Sequence, residues 1–224
     1  MPRRHIIVVT GLKREARAMG SPHVRVIIGG GDPEGLLQEL EAQAASAEGF
    51  ISIGLGGALA PALRPGDWVV GRGVRTQQGR VETDQDWSET LLDRLPGARA
   101  GDVVGSDVMV ADAEAKRALH DSTGALVVDM ESHVAACVAA RHGLPFAVAR
   151  TISDSADHSL PVAAQRGMRP DGSMDVAAVL LALLGDPAQL PALLRTALAA
   201  ETAFRALLRG RQLLGPALGR PDLG

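Results

Sequence analysis

Three acidic residues of this sequence each follow a short apolar run that is rich in β-branched side chains. Glu131 follows VVDM, Asp154 follows FAVARTIS, and Glu15 lies about one helical turn after HIIVVT. Side chains that follow the strands of an α/β sheet meet in one crevice at the sheet edge, so we expect the three carboxylates to converge there. Carboxylates in a crevice can bind hydroxyl groups or transfer protons.

Each of these residues, taken alone, also fits a purely structural role. Acidic residues are favoured in the first turn of a helix, which would explain Glu131 and the nearby Asp129. Glu15 fits a solvated helix face, and the pair Ser153 and Asp154 fits an ordinary helix cap. These structural roles do not explain why three acidic positions follow three strands, whereas a shared crevice does.

A glycine-rich run, IGLGGALAPALRPGD (53–67), places Gly54, Gly56 and Gly57 directly after a predicted buried strand. Glycines there would let the backbone approach a ligand and present N–H groups to an anion or a sugar hydroxyl, although a plain tight turn has the same composition. Leu59 stands where a dinucleotide-binding motif needs its third glycine, so the run does not indicate that cofactor.

The elements that must position these residues alternate along the chain. Strand character is found in HIIVVT, VRVIIG, FISIG, DWVVGRGVRT, GALVVDM and PFAVARTIS, with helical segments between them. This alternation predicts a three-layer α/β/α fold, in which helices cover both faces of a central sheet. After Pro161 the pattern is helical to the C-terminus. We expect one domain over 1–224, with 160–224 as its helical C-terminal extension.

Composition argues against several classes of partner and cofactor. The net charge is −3 and aromatic residues make up 2% of the chain, which does not favour nucleic-acid binding. The six histidines show no paired ligand spacing, so we predict no metal. The one cysteine, Cys137, cannot form an internal disulfide, and the N-terminal apolar run is too short for a signal peptide or a span, so we expect a cytoplasmic protein.

The ordered motifs GLGGALAPALRPGDWVV, VVDMESHVAA and FAVARTISDSAD resemble the purine nucleoside phosphorylase and nucleosidase superfamily. The resemblance covers about residues 5–158 and is greatest to the methylthioadenosine/S-adenosylhomocysteine nucleosidase branch. It implies a nucleoside phosphorylase-like fold with a mixed central sheet, assembly into a homo-oligomer, and an enzyme that cleaves the N-glycosidic bond of an adenosine-type nucleoside.

A narrower resemblance involves VDMESHVAA, MRPDGSMD and the C-terminus rich in leucine and arginine. These segments are similar to the hopanoid-associated phosphorylases, which are proposed to remove adenine from adenosylhopane during bacteriohopanetetrol synthesis. A methylthioadenosine-type nucleosidase and a non-catalytic nucleoside-binding protein on the same fold remain the alternatives.

The resemblance implies a role for each acidic residue. Glu131 matches the carboxylate that binds the 2′- and 3′-hydroxyls of ribose, and Met130 matches the side chain packed on the sugar. Asp154 matches the residue that delivers a proton to purine N7, with Ser153 as its orienting neighbour. Glu15 matches the position that activates the attacking water in the nucleosidases.

Further positions match the loop beneath the sugar and the surroundings of the base. Gly54, Gly56 and Gly57 match the loop, and Met109, followed by Val110, falls where relatives stack a phenylalanine on the purine. The thioether of a methionine can also pack on a base, although more loosely.

Two departures from the family pattern concern the nucleophile. Leu55 replaces a hydroxyl residue that touches phosphate in phosphorylases, and Ser52 stands where many of them have a phosphate-binding arginine. Loop amides, Arg14, Arg75 or Arg150 could still bind phosphate, so both phosphate and water remain candidates. We expect no cofactor other than phosphate as a co-substrate.

The C-terminal segment 190–214 has leucines at helical spacing and several arginines. This composition fits an interfacial helix in peripheral contact with a membrane, but a core-docked or dimer-forming helix has the same periodicity and is favoured over membrane contact. A lipid-linked nucleoside substrate would favour the membrane interpretation.

Overall fold

The computed structural model describes residues 5–167, 169, 172–173 and 175–221. Half of the predicted MRPDGSMD motif, namely Met168, Pro170, Asp171 and Met174, lies outside the described residues.

Eight strands form one mixed sheet. They are β1 (His5–Thr10), β2 (Val24–Ile28), β3 (Ala47–Ala58), β4 (Trp68–Thr76), β5 (Gly79–Glu82), β6 (Arg99–Gly105), β7 (Val127–Asp129) and β8 (Phe146–Asp154). Their order is β2-β1-β3-β7-β6-β4-β5, and β8 pairs with both β3 and β4. Strands β3, β7, β6, β4 and β8 therefore pair in a closed ring, with antiparallel pairing at β3/β7 and β4/β8.

Helices cover both faces of the sheet, which confirms the predicted α/β architecture. They are α1 (Lys13–Met19), α2 (Pro33–Ala44), α3 (Gln85–Arg94), α4 (Ala113–Thr123), α5 (Ser132–Arg141), α6 (Val162–Arg166), α7 (Val176–Gly185) and α8 (Leu190–Leu214). One apolar cluster contains buried residues of α2 and α5, such as Leu40 and Val138. A second cluster contains Met19, Trp87 and Leu207 from α1, α3 and α8.

The pairing register of β3 brings two strand ends together. Gly57 pairs with Val128 of β7 on one side and with Asp154 of β8 on the other. Because α5 begins at Ser132, just after β7, this register places Glu131 and Asp154 at the same edge of the sheet.

Three features of the fold differ from the sequence-based prediction. Strands β5 and β6 were not predicted, because the short β5 has an alternating polar composition and β6 has only Val103 and Val104 as strongly apolar residues. The C-terminal part, predicted as helical, contains a 3₁₀ turn at Pro187–Gln189 before α8. The glycine run does not follow a strand as a loop, since β3 continues through it to Ala58.

The C-terminal helices differ in burial along their length. The second half of α8 packs against the sheet, with Phe204 and Leu207 buried. Helix α7 and the first half of α8 expose large apolar side chains, including Leu181 and Leu184, which are 71% and 80% exposed. Within the described residues no single helix is long and apolar enough to span a membrane; only α7 combined with 187–214 has that length and composition, and this pair is bent by 117°.

Candidate active site

A cavity of about 230 Å³ opens at the sheet edge where β1, β3, β7 and β8 end. Helices α6 and α8 close its outer side through Ala164, Thr196 and Ala200. Its wall is largely apolar, and four acidic residues lie on it. The residues that line it are Gly11, Leu12, Glu15, Gly30, Leu55, Gly56, Gly57, Val108, Met109, Val110, Val128, Asp129, Met130, Glu131, Ser153, Asp154, Leu160, Ala164, Thr196 and Ala200.

Most of the predicted site residues lie on this cavity. Ten of the twelve line it: Glu15, Leu55, Gly56, Gly57, Met109, Val110, Met130, Glu131, Ser153 and Asp154. The other two, Gly54 and Arg150, lie behind the wall. The three acidic residues that follow separate strands therefore converge as the sequence analysis predicted.

Glu15 is buried, not part of a solvated helix face. Its side chain is 2% exposed and accepts hydrogen bonds from the backbone N–H groups of Gly11 (2.9 Å), Leu12 (2.8 Å) and Leu55 (2.7 Å). Burial raises the pKa of Glu15 above its ordinary value of 4.5, while the three N–H donors and Arg150 oppose that rise. The carboxylate is thus held rigidly at the cavity wall.

Glu131 and Asp129, on either side of Met130, have different roles. Asp129 Oδ1 accepts the backbone N–H groups of Glu131 (3.0 Å) and Ser132 (2.8 Å), so Asp129 supplies the cap that the sequence suggested for this junction. Glu131 makes no capping bond with its side chain. Its carboxylate is free to face the cavity.

The carboxylate of Glu131 is in an unfavourable environment for a charge. The pKa of Glu131 is raised to about 8, mainly by burial and also by the neighbouring Asp129 and Glu15, while Arg150 opposes the rise. Two glycines make room for this side chain: a Cβ on Gly11 would lie 2.7 Å from Glu131 Oε1, and one on Gly29 would lie 2.6 Å from its Cγ. These two glycines were not among the predicted site residues.

Arg150 is a buried counter-ion for the acidic groups. It is 1% exposed, its Nε lies 2.8 Å from Asp129 Oδ2, and its Nη2 lies 3.9 Å from Glu131 Oε2. Nη2 also donates to Ser52 Oγ at 2.5 Å. The predicted contact of Arg150 with substrate is therefore corrected, because its guanidinium is directed at side chains behind the cavity wall.

Gly54 and Gly56 of β3 make room for neighbouring side chains. A Cβ on Gly54 would lie 2.9 Å from Glu15 Oε1, and a Cβ on Gly56 would lie 2.7 Å from Val127 Cγ2. Gly54 does not line the cavity, so its predicted place beneath the sugar is corrected to a place behind Glu15.

Asp154 is held by a residue that the sequence analysis did not select. Lys116, from α4, is completely buried and its ammonium group donates to Asp154 Oδ2. Ser153 Oγ donates to the other oxygen, Oδ1, at 2.6 Å. The available signal was weak: Lys116 lies three residues before Leu119 on the inward face of an otherwise polar helix.

The other basic residues considered for phosphate binding are paired elsewhere. Arg14 Nη1 lies 2.8 Å from Glu201, and its guanidinium lies over the Phe204 ring. Arg75 Nε lies 2.9 Å from Asp102 Oδ2. The lining residues of the described cavity include four carboxylates and no lysine or arginine.

Within the described ranges, no cluster of three or more His, Cys, Asp or Glu side chains is arranged to hold a metal ion. The polar side chains that line the cavity are four carboxyl groups and the hydroxyls of Ser153 and Thr196.

Comparison with known proteins places this geometry in context. A sequence model of the phosphorylase superfamily matches residues 33–185. No curated protein sequence matches the chain significantly.

Several solved structures share the fold at low sequence identity. A Streptococcus pneumoniae MTA/SAH nucleosidase in complex with 8-aminoadenine is 20% identical, with a TM-score of 0.65 over 80% of this chain and 98% of that chain. A Helicobacter pylori 5′-methylthioadenosine/S-adenosylhomocysteine nucleosidase is 13% identical, with a TM-score of 0.69 over 96% of this chain and 97% of that one. The futalosine hydrolase of Helicobacter pylori is 16% identical, with a TM-score of 0.63 over 82% and 98%.

Proposed function

The chain belongs to the phosphorylase superfamily, as an enzyme of the nucleoside phosphorylase and nucleosidase type, and on that premise we propose that it hydrolyses the N-glycosidic bond of an adenosine-type nucleoside. The observation that carries this proposal is the convergence of Glu15, Glu131 and Asp154 on one cavity. The solved structures with this fold include nucleosidases and a hydrolase, which supports the same class of reaction.

The three carboxyl groups would divide the reaction between them. Glu131 accepts hydrogen bonds from the ribose hydroxyls, and in its ionised form it stabilises the cationic sugar of the transition state. Asp154 passes a proton to N7 of the purine, because adenine leaves poorly as an anion. Glu15 accepts the proton of the attacking water, a task that suits a carboxyl group whose pKa burial has raised.

Water is the nucleophile that the charges at the cavity favour. A phosphate dianion would meet four carboxylates and no basic side chain among the described lining residues. The amide of Leu55 already donates to Glu15, and Arg150 already pairs with Asp129. We therefore place phosphorolysis second to hydrolysis. No unpaired lysine or arginine lines this cavity within the described residues, so a phosphate dianion would find no cationic side chain to neutralise it.

We further propose that the nucleoside carries an apolar 5′ substituent, as adenosylhopane of hopanoid biosynthesis does, and that the enzyme works at a membrane surface. Helix α8 lines the cavity through Thr196 and Ala200 and exposes Leu194 (55%) and Leu198 (70%) on its outer side. Helix α7, which precedes α8 in the chain, also exposes large apolar side chains such as Leu181 and Leu184. Exposed apolar patches of this kind commonly bind membranes or partners.

The main alternative is a methylthioadenosine/S-adenosylhomocysteine-type nucleosidase, which would act on soluble nucleosides. The site itself would be unchanged, and only the role of the apolar surface would differ. A cytoplasmic location and a homo-oligomeric state belong to both versions of the proposal.

Activity on soluble and lipid-borne substrates separates these versions. We expect the purified protein to release adenine from adenosylhopane in anionic liposomes and from soluble 5′-methylthioadenosine, as followed by chromatography. Replacing Leu181 and Leu184 together by serine should reduce only the activity on liposomes.

The matched control for this experiment is Leu213→Ser, because Leu213 is 51% exposed but lies at the far end of α8. Equal activity of all variants on liposomes would refute the lipid proposal and leave the nucleosidase proposal intact. No adenine from either substrate would refute the proposed function.

A further inference from the structure

Lys116 is an unusual residue because its whole side chain is buried. It is 0% exposed, and its ammonium group lies within the protein beside the 8% exposed Asp154. Lysine is almost never fully buried without a partner, because removing its charge from water is very unfavourable. An ion pair at this place is therefore not explained by stability alone.

The ammonium group of Lys116 has a fixed orientation. Besides Asp154, it donates to the backbone carbonyl oxygens of Ser155 (3.2 Å) and His158 (2.8 Å). The loop that supplies these oxygens is itself tied to the start of α4, where Ser159 Oγ donates to Asp112 Oδ2 at 3.2 Å. All three N–H donors of the lysine thus have partners, and the lysine holds Asp154 Oδ2 in one place.

The two carboxylate oxygens of Asp154 accept hydrogen bonds from different donors. Oδ2 faces the buried lysine, while Oδ1 accepts the hydroxyl of Ser153. Both Ser153 and Asp154 line the cavity, and Lys116 does not. Lys116 can therefore influence a bound nucleoside only through Asp154.

We propose that Lys116 is a positioning residue that acts through Asp154 and is the source of the proton that Asp154 passes to the purine. This inference rests on the proposed N-glycosidic cleavage. In the resting site, the ammonium and carboxylate groups form one neutral pair with one transferable proton.

The bond between C1′ and N9 breaks, and its electron pair moves onto the purine, whose N7 takes a proton from the pair through Asp154. The pair is left as an amine and a carboxylate with a net charge of −1, opposite the cationic sugar. Water adds to C1′ and gives its proton to Glu15, which then releases it to solvent, and the amine of Lys116 regains a proton from solvent.

A substrate that needs no proton on its base tests this role directly. Methylation of N7 makes the purine a good leaving group without protonation. We expect Lys116→Met to lower kcat on adenosine-type substrates by about 10²-fold with little change in KM, because general-acid assistance contributes about 10²–10⁴-fold. On N7-methyladenosine, the same variant should lose less than about 5-fold.

The controls separate this role from a general loss of structure. Arg117→Met changes the exposed neighbour of Lys116 and should leave both activities unchanged. The double variant K116M/D154N contains no unpaired buried charge, so it should fold even if Lys116→Met does not. Its activity on adenosine should equal that of Asp154→Asn alone, as expected for residues that act as a unit.

Three results would overturn the inference: unchanged activity of Lys116→Met, an equal loss on the two substrates, or a further loss in the double variant relative to Asp154→Asn. A wild-type protein that cleaves neither substrate would instead refute the proposed function on which the inference rests.

Discussion

The wild-type protein should lose stability as the pH rises, and replacing Glu131 by glutamine should remove this loss. Glu131 carries a pKa of about 8 in the folded protein, against an ordinary value of 4.5, because it is buried beside Asp129 and Glu15. Between these values the folded protein retains a proton that the unfolded chain has lost. The stability of the wild type therefore falls as the pH rises through this interval.

The size of this loss of stability follows from the folded and ordinary pKa values of Glu131, about 8 and 4.5. Each pH unit in this interval changes the free energy of unfolding by up to about 1.36 kcal/mol. From pH 5 to pH 7, the wild type should lose about 2.5 kcal/mol that Glu131→Gln does not lose. For a chain of this size, that corresponds to about 5–10 °C in the melting temperature.

The assay is urea unfolding of both proteins at pH 5, 6 and 7, with the difference between their free energies of unfolding as the readout. The difference should grow in favour of Glu131→Gln across this range, while activity on nucleosides should fall because an amide cannot ionise to stabilise the cationic sugar. A constant difference from pH 5 to pH 7 would refute the reasoning that Glu131 ionises unfavourably in the folded protein.

Three further outcomes are expected. Asp154→Asn should lower kcat/KM on adenosine-type substrates by at least about 10²-fold, and near-normal turnover would contradict its role as the acid. Glu15→Gln should abolish hydrolysis in assays with and without phosphate, whereas activity that phosphate restores would favour phosphorolysis. Arg150→Met should lower the free energy of unfolding by about 3–5 kcal/mol, because it leaves Asp129 buried without its counter-ion, and urea unfolding at pH 7 with a change below about 1 kcal/mol would contradict the buried-pair interpretation.

The strand ends of the fold were predictable because their signal is local. β-Branched runs such as those of β1 and β8 indicate buried strands, and acidic residues directly after them indicate a shared crevice. This reasoning was sufficient to bring Glu15, Glu131 and Asp154 together. Convergence is a property of sheet topology, so it needs no knowledge of individual contacts.

The contacts behind the cavity were not predictable in the same way. The burial of Lys116 depends on the loop after β8 and on α4, which are about 40 residues apart in sequence. The pairing of Arg150 with Asp129 likewise requires the register between β7, β3 and β8. Ion pairs between distant segments leave no periodic pattern, which is why the sequence suggested a ligand contact for Arg150 and none for Lys116.

The place of Gly54 was also misjudged for a physical reason. A glycine-rich run after a strand is typical of a loop that approaches a ligand, and composition does not distinguish this from a strand crowded by neighbouring side chains. The difference lies in Glu15, whose carboxylate occupies the space that a Cβ on Gly54 would fill.

The product formed at C1′ of the sugar tests most directly whether the protein hydrolyses a nucleoside. Wild-type protein incubated with an adenosine-type nucleoside in ¹⁸O-labelled water and phosphate should release adenine together with a free sugar that carries the label at C1′, and Asp154→Asn should release neither at a comparable rate. A ribose 1-phosphate product without label would contradict hydrolysis, and a nucleoside that binds but is never cleaved would contradict the assignment of an enzyme.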